Sequence, residues 1–246
     1  LRGVAADAVA ASCGRFLASV DRDGDGEGVI DNLEAVVCLL AALREARPKA
    51  VASLATFEAM ALRRLNRALD AIALIDRVLP IAKSSALLVQ RAQALAAAGE
   101  LEGSVAAMQG ACRESPGDWA LQADLADSLM LTGRFMDADA GYTILATNED
   151  ELLRSHALLG RGYIASLLAP SDELLRHTAL ERAGSASKRG RELVPLLWLY
   201  RSELPAVEDP LSGALLSVLT RVRAEPPPGP IRLRVKLDGA VPATAR

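Results

Sequence analysis

A spacing of 34 residues recurs through the middle of the chain. Gly99 and Gly133 stand 34 apart, as do Ala92, Ala126 and Gly160, and as do Leu95, Leu129 and Tyr163. Met108 and Tyr142 share the interval, and so do Pro116 and Asp150. The apolar residues between them follow helical periodicity. A fixed period of this length in helical sequence implies a row of similar helix pairs, because one pair cannot bury its apolar face alone but stacked pairs can. The small residue at 92, 126 and 160 lets helices approach closely. Glycine at 99 and 133 supplies the left-handed backbone that ends a first helix. Pro116 stops a second helix and starts the next unit. Composition agrees: of 246 residues 51% are apolar but only 3% aromatic, so packing falls to Ala and Leu.

These residues resemble the tetratricopeptide repeat family. The fullest unit runs from Pro116-Gly117-Asp118 to Asp150, with Leu125, Ala126, Leu129, Gly133, Ala138 and Tyr142 on the motif. The unit before it, 85–118, carries Leu88, Ala92, Leu95, Gly99, Ala111 and Pro116. An earlier unit is degenerate: Ala59, Leu62, Asn66 and Ala71 fit, with Asn66 at the turn and one residue missing before the next unit. Asn tolerates the left-handed conformation next best after Gly. A later unit starts well with Leu159, Gly160 and Tyr163, then departs: Leu167 replaces the turn glycine and Ala169-Pro170-Ser171-Asp172 lengthens the turn.

The resemblance covers about 50–183 and implies an all-α fold, a right-handed superhelical α-solenoid of antiparallel helix pairs. It also implies that the first helix of each unit lines a concave face. Carried onto this chain, the inward positions are Ala86, Val89, Gln93, Ala96 and Ala97, then Ala120, Ala123, Asp127, Met130 and Leu131, then Arg154, Ala157, Arg161, Ile164 and Ala165. Gln93, Asp127 and Arg161 fall on one row. With Met130 and Arg154 they are the candidate partner-binding residues. A groove mainly small and apolar suits an amphipathic helix or an extended apolar peptide. Family members that grip chaperone C-termini use a clamp of Lys, Asn and Arg. The matching positions are Val89, Gln90, Ala123 and Asp124, which leaves no clamp.

Four zones organise the chain. Residues 1–48 read as two helices, 4–20 and 29–46, around an acidic loop. Residues 49–183 hold the repeats, and 184–224 hold two further helices split by Pro205 and Asp209-Pro210. Residues 225–246 begin with Pro226-Pro227-Pro228-Gly229-Pro230, which ends helical structure. Beyond it Ile231, Leu233, Val235 and Leu237 alternate with Arg232, Arg234 and Lys236, a strand signal. A lone strand is unstable, so it pairs with something outside the chain or opens a further domain. The opening residue, Leu1, fits a leader or upstream domain ahead of it.

The acidic loop is the sharpest chemical motif. In Asp21-Arg22-Asp23-Gly24-Asp25-Gly26, acids alternate and glycine permits a sharp turn, as in loops that gather hard oxygen ligands for calcium. With Gly28-Val29 read as an insertion, Ile30 takes the apolar position and Glu34 the closing ligand of an EF-hand-like loop. The candidate calcium ligands are Asp21, Asp23, Asp25, Glu27 and Glu34. Read without a metal, the same stretch is a solvated acidic turn that caps the helix starting near Val29.

Several classes are excluded or disfavoured. The charges nearly balance, with 28 basic and 31 acidic residues, whereas a nucleic-acid binder has a basic excess. The longest apolar runs, Ala35–Leu43 and Val194–Tyr200, fall far short of the roughly 20 residues that span a bilayer. No phosphate loop, nucleophile elbow or metal-spaced His/Cys cluster occurs, so no enzyme is expected. His156 and His177 are expected to be packed or exposed rather than catalytic. Cys13, Cys38 and Cys112 read as buried thiols, with a Cys13–Cys38 disulfide as the alternative.

Taken together, the expected function is a non-enzymatic scaffold that binds a protein or peptide, soluble in cytoplasm or periplasm. A calcium-binding module is the first alternative. The second is a periplasmic chaperone for apocytochrome c. That reading rests on similarity to bacterial cytochrome c maturation proteins at Asp21-Arg22-Asp23, Gly28-Val29-Ile30-Asp31, Glu34-Ala35 and the strand from Ile231 to Ala243. Trp119 and Trp198 do not occupy that family's tryptophan positions.

Overall fold

A computed structural model of the chain describes residues 6–23, 29–168, 172–178 and 181. The further helices at 184–224, the proline run and the strand at 231–237 lie outside the described residues. Within them every regular element is helical.

Two helices open the chain: α1 (Ala6–Asp23) and α2 (Val29–Ala46). Helix α1 runs three residues past the expected end at 20, because no breaker intervenes before Gly24. Helix α2 carries Asp31 in its first turn and Arg44 in its last, both favourable to the helix dipole. A short 3-10 turn, Pro48–Ala50, leads into α3 (Val51–Arg64). Then follow α4 (Ala68–Val78), α5 (Ser85–Ala97), α6 (Leu101–Glu114), α7 (Trp119–Leu131), α8 (Phe135–Leu145) and α9 (Glu151–Leu168). Residues 173–178 are helical as well.

The helix ends repeat with the sequence. Ser84 and Asp118, 34 apart, cap α5 and α7. The Ser84 hydroxyl accepts from Leu87 N at 3.2 Å, and the Asp118 carboxylate accepts from Ala120 N at 3.0 Å and Leu121 N at 3.3 Å. Helix α9 begins similarly, with Leu153 N donating to Asp150 at 3.3 Å. The turns between paired helices are alike too. Asn66, Gly99 and Gly133 have φ of 58°, 86° and 75°, the left-handed region. At each, the next residue's N–H reaches back to a carbonyl in the last turn: Arg67 to Leu62 at 2.9 Å, Glu100 to Leu95 at 2.8 Å, Arg134 to Leu129 at 3.0 Å. A second bond joins the left-handed residue itself to the carbonyl three back. That pair of bonds closes a helix end in the Schellman manner. Where Leu167 stands in place of the glycine, α9 runs on to Leu168 and has 18 residues against 13 in α7.

Packing follows chain order. From α2 onward each helix packs mainly on the helix before and the helix after it; α1 packs more on α3 than on α2, and α3 also touches α5 and α7 touches α9. The described core is therefore a run of four overlapping clusters, not one central mass. The first joins α1, α2 and α3 through Leu17, Leu40 and Leu54. The second joins α3, α4 and α5 through Ala59, Ile75 and Leu87. The third joins α5, α6 and α7 through Ala92, Met108 and Leu121. The last joins α7, α8 and α9 through Ala126, Tyr142 and Tyr163. No described helix is long and apolar enough to cross a membrane.

Candidate functional site

The inward positions divide into two regions. On α5, Ala86 and Ala97 are exposed, and Val89, Gln93 and Ala96 are half-buried. On α7 and α9 the same positions are largely closed: Ala123, Asp127, Met130, Ala157, Ile164 and Ala165 are buried. Two of the expected partner contacts are thereby corrected. Asp127 is 0% exposed and Met130 is 5% exposed, so neither offers a handle at the surface. The row of Gln93, Asp127 and Arg161 is not a row of free groups either. Arg161, half-buried, turns its Nε to Asp139 Oδ1 on α8 at 3.0 Å. Arg154, also half-buried, donates from Nη1 to the Asn148 carbonyl at 3.2 Å. Gln93 is half-buried on α5, as Arg154 and Arg161 are on α9.

The reason Asp127 goes inward is a polar knot at the α7–α8–α9 junction. Tyr142 from α8 and His156 from α9 are both sealed, at 0% and 1% exposure. The Tyr142 hydroxyl donates to Asp127 Oδ1 at 2.5 Å, and His156 Nε2 lies 2.8 Å from the same oxygen. A carboxylate only accepts, so Nε2 carries the hydrogen of that bond. His156 Nδ1 has no hydrogen-bond partner among the described residues. The two rings lie with centroids 5.9 Å apart, tilted by 51°. A buried carboxylate costs several kcal/mol unless it is hydrogen-bonded, and two donors at one oxygen offset that cost.

Gly160 makes room for the knot. A Cβ at 160 would stand 2.4 Å from Tyr142 Cε2 and 2.6 Å from Cζ. The slot that Tyr142 fills holds Met108 one unit earlier, and the slot of Gly160 holds Ala126. The larger ring comes with the smaller residue.

Asp124 lies one turn before Asp127 on α7 and is half-buried. Its carboxylate has no hydrogen-bond or ionic partner among the described residues, whereas Glu58 meets Arg44 at 2.9 Å and Asp76 meets Arg91 at 2.8 Å. Removal from water, and then the nearby charge of Asp127, push the Asp124 carboxyl up to about 7; Asp118 adds to this and His156 opposes it. Asp124, Tyr142 and His156 were not among the candidate site residues in the sequence. The signal that existed was weak: Tyr142 is a bulky residue at a repeat slot, and His156 one of only two histidines.

The calcium candidates are only partly described. Asp21 and Asp23 belong to the last turn of α1 and not to a loop. Asp25 and Glu27 lie outside the described residues. Glu34, exposed on α2, faces Arg67 Nη1 at 3.4 Å. Among the described residues no three His, Cys, Asp or Glu side chains are placed to hold a metal. The cysteines are all free. Cys13 and Cys112 are buried, with thiols pushed up by that burial, but Cys38 is exposed, contrary to the reading of three buried thiols. His177 is exposed.

No protein-family model matches the chain, and neither does any curated protein or any solved structure.

Proposed function

We propose that the chain is a tetratricopeptide-like α-solenoid acting as a non-enzymatic scaffold. It takes an amphipathic helix or an extended apolar peptide on the face lined by α5. The observation that carries this reading is the trio of left-handed turns at Asn66, Gly99 and Gly133, with one hydrogen-bond pattern at a spacing of 33 and then 34 residues. Identical turns at that period set successive helix pairs at similar angles, the arrangement that forms extended binding faces in repeat proteins. The binding surface is narrower than the motif positions alone suggest. It centres on Ala86, Val89, Gln93, Ala96 and Ala97, where small side chains leave a partner's apolar residues room to approach.

The test is selection of binding peptides from a displayed random library, followed by photo-crosslinking from two groups of positions. Crosslinkers at Gln93 and Ala97 should capture the selected peptides, and crosslinkers at the exposed outer positions Arg77 and Glu102 should not. Val89→Glu should weaken binding at least tenfold, since it puts a charge in an apolar contact. Equal capture from inner and outer positions would overturn the assignment.

A further inference from the structure

We infer that the side-chain amide of Gln90 is the anchor of the α5 face, its oxygen accepting a main-chain N–H from an extended peptide. This rests on the scaffold function proposed for that face and narrows its two partners to one. Gln90 is 6% exposed, and its Oε1 is sealed from water without a hydrogen-bond partner among the described residues. Several other buried polar side chains are answered. Glu58 meets Arg44 at 2.9 Å, the Ser128 hydroxyl donates to the Asp124 carbonyl at 2.8 Å, and Asp127 accepts from Tyr142. A buried carbonyl oxygen left unmatched is destabilising, so the free chain holds this amide at a cost.

Gln90 stands where the face meets the core. Ala86, Gln90, Gln93 and Ala97 follow one another at helical spacing and form one stripe of α5. Ala86 and Ala97 are exposed and Gln93 is half-buried. On the other side of Gln90, Leu87 and Ala94 pack into the cluster that holds Ala55, Ala59 and Leu62 of α3. The amide therefore lies at the seam between α3 and α5, which touch. Across the seam, Ser53, Thr56 and Met60 hold the slots of Ala86, Val89 and Gln93 one unit earlier. Ser53 is exposed and the other two are half-buried. The Thr56 hydroxyl donates to the Ala52 carbonyl at 2.8 Å, so it does not serve Gln90. A helical side chain leans toward the N-terminus of its helix. One turn back stands Ala86, too small to cover the amide, so a turn about the side-chain torsions brings the oxygen up beside it.

An amide oxygen needs a donor, and that need selects the partner. In an α-helix the main-chain N–H groups beyond the first turn are bonded to the carbonyl four residues back. A docked helix thus brings apolar side chains but no free main-chain donor. An extended segment keeps its N–H groups unpaired, and the small residues of the stripe let its backbone come close. The hydrogen bond forms only when the peptide is bound, so binding relieves the cost that the free chain carries.

The experiment on the whole chain has one arm without ligand and one with. Gln90→Leu puts an apolar group of similar size in the seam, and Gln90→Met does so with an unbranched side chain. Both should melt at or above the parent's temperature, because an unmatched polar group has been removed. A fall of several degrees in both would show that the amide is already matched in the free chain, by water or by protein, and would overturn the anchor. In the second arm, short linear peptides and stapled helical peptides are selected from displayed libraries. Linear peptides should be enriched, and N-methylation of one peptide bond in the tightest binder should weaken binding about tenfold. On Gln90→Leu the same methyl group should cost about twofold or less. Enrichment of stapled peptides alone, or an equal N-methyl penalty on both proteins, would overturn the anchor; the α5 face itself stands if Val89→Glu still weakens binding. Enrichment of nothing, or peptides indifferent to Val89→Glu, would overturn the binding function and the anchor with it.

Discussion

At Asp127 one carboxylate oxygen serves two helices at once, and the residues around it are chosen by that duty. Tyr142→Phe keeps the ring but removes the hydroxyl, leaving Asp127 with one of its two described donors. Losing a hydrogen bond to a buried charged group costs about 1.5–3 kcal/mol, which urea denaturation will register as a lower midpoint with the slope unchanged. Gly160→Ala tests the space beside it. The added methyl meets a Tyr142 ring that is sealed and hydrogen-bonded, so the ring cannot simply swing away. An overpacking cost of about 1–3 kcal/mol is expected, and a melting temperature equal to the parent's would show that the close approach is not real. Cysteine chemistry sorts by burial: Cys38 should react with a thiol reagent within seconds to minutes, and Cys13 and Cys112 should react only on unfolding. Rapid release of all three thiols from the native protein would contradict the buried positions of the latter two.

At the scale of elements, the helix ends were the most legible part of the sequence. Asn66, Gly99 and Gly133 act through their own backbone, so local chemistry suffices to place them, whereas the caps at Ser84 and Asp118 were first seen in the structure. Gly133→Ala forces a side chain into the left-handed region and should cost about 1–2 kcal/mol. Gly117→Ala makes a suitable control. It sits at an exposed position without positive φ, so its effect on thermal melting should be much smaller. The loss of the turn glycine at Leu167 was legible too, but the sequence reads as a lengthened turn there, and the structure shows α9 running on to Leu168. The helix faces were less legible. Motif positions place Asp127 and Arg161 on the inward side of their helices, yet one is drawn into a knot with α8 and α9, and the other swings to Asp139. Their partners lie 15 to 29 residues away, and nothing local in the sequence reports them.

For the whole molecule, the four overlapping clusters make stability a matter of neighbours. In such a row each unit contacts only the next, so a unit can be removed without destroying the principle of packing. Deleting 85–118 joins Ser84 to Trp119, a capping residue to the start of α7, in the same register as before. The shortened chain should retain its helical circular-dichroism signal per residue. Loss of that signal would argue for a bundle with long-range dependence in place of a modular row.

The sequence by itself determined the helical class of the described residues, the period and the turns, because each is written in residues close together along the chain. It also pointed to Tyr142 and Gly160 as special slots. Only the tertiary structure decided that these two slots meet, that Asp127 is sealed between them and His156, and that Ala86 and Ala97 on α5 stay exposed while Asp127 and Met130 on α7 do not. Those outcomes depend on how three helices come together around one carboxylate, where desolvation must be offset by donors from elsewhere in the chain. A repeat motif states where a residue stands on its own helix; the neighbouring helices decide whether water reaches it.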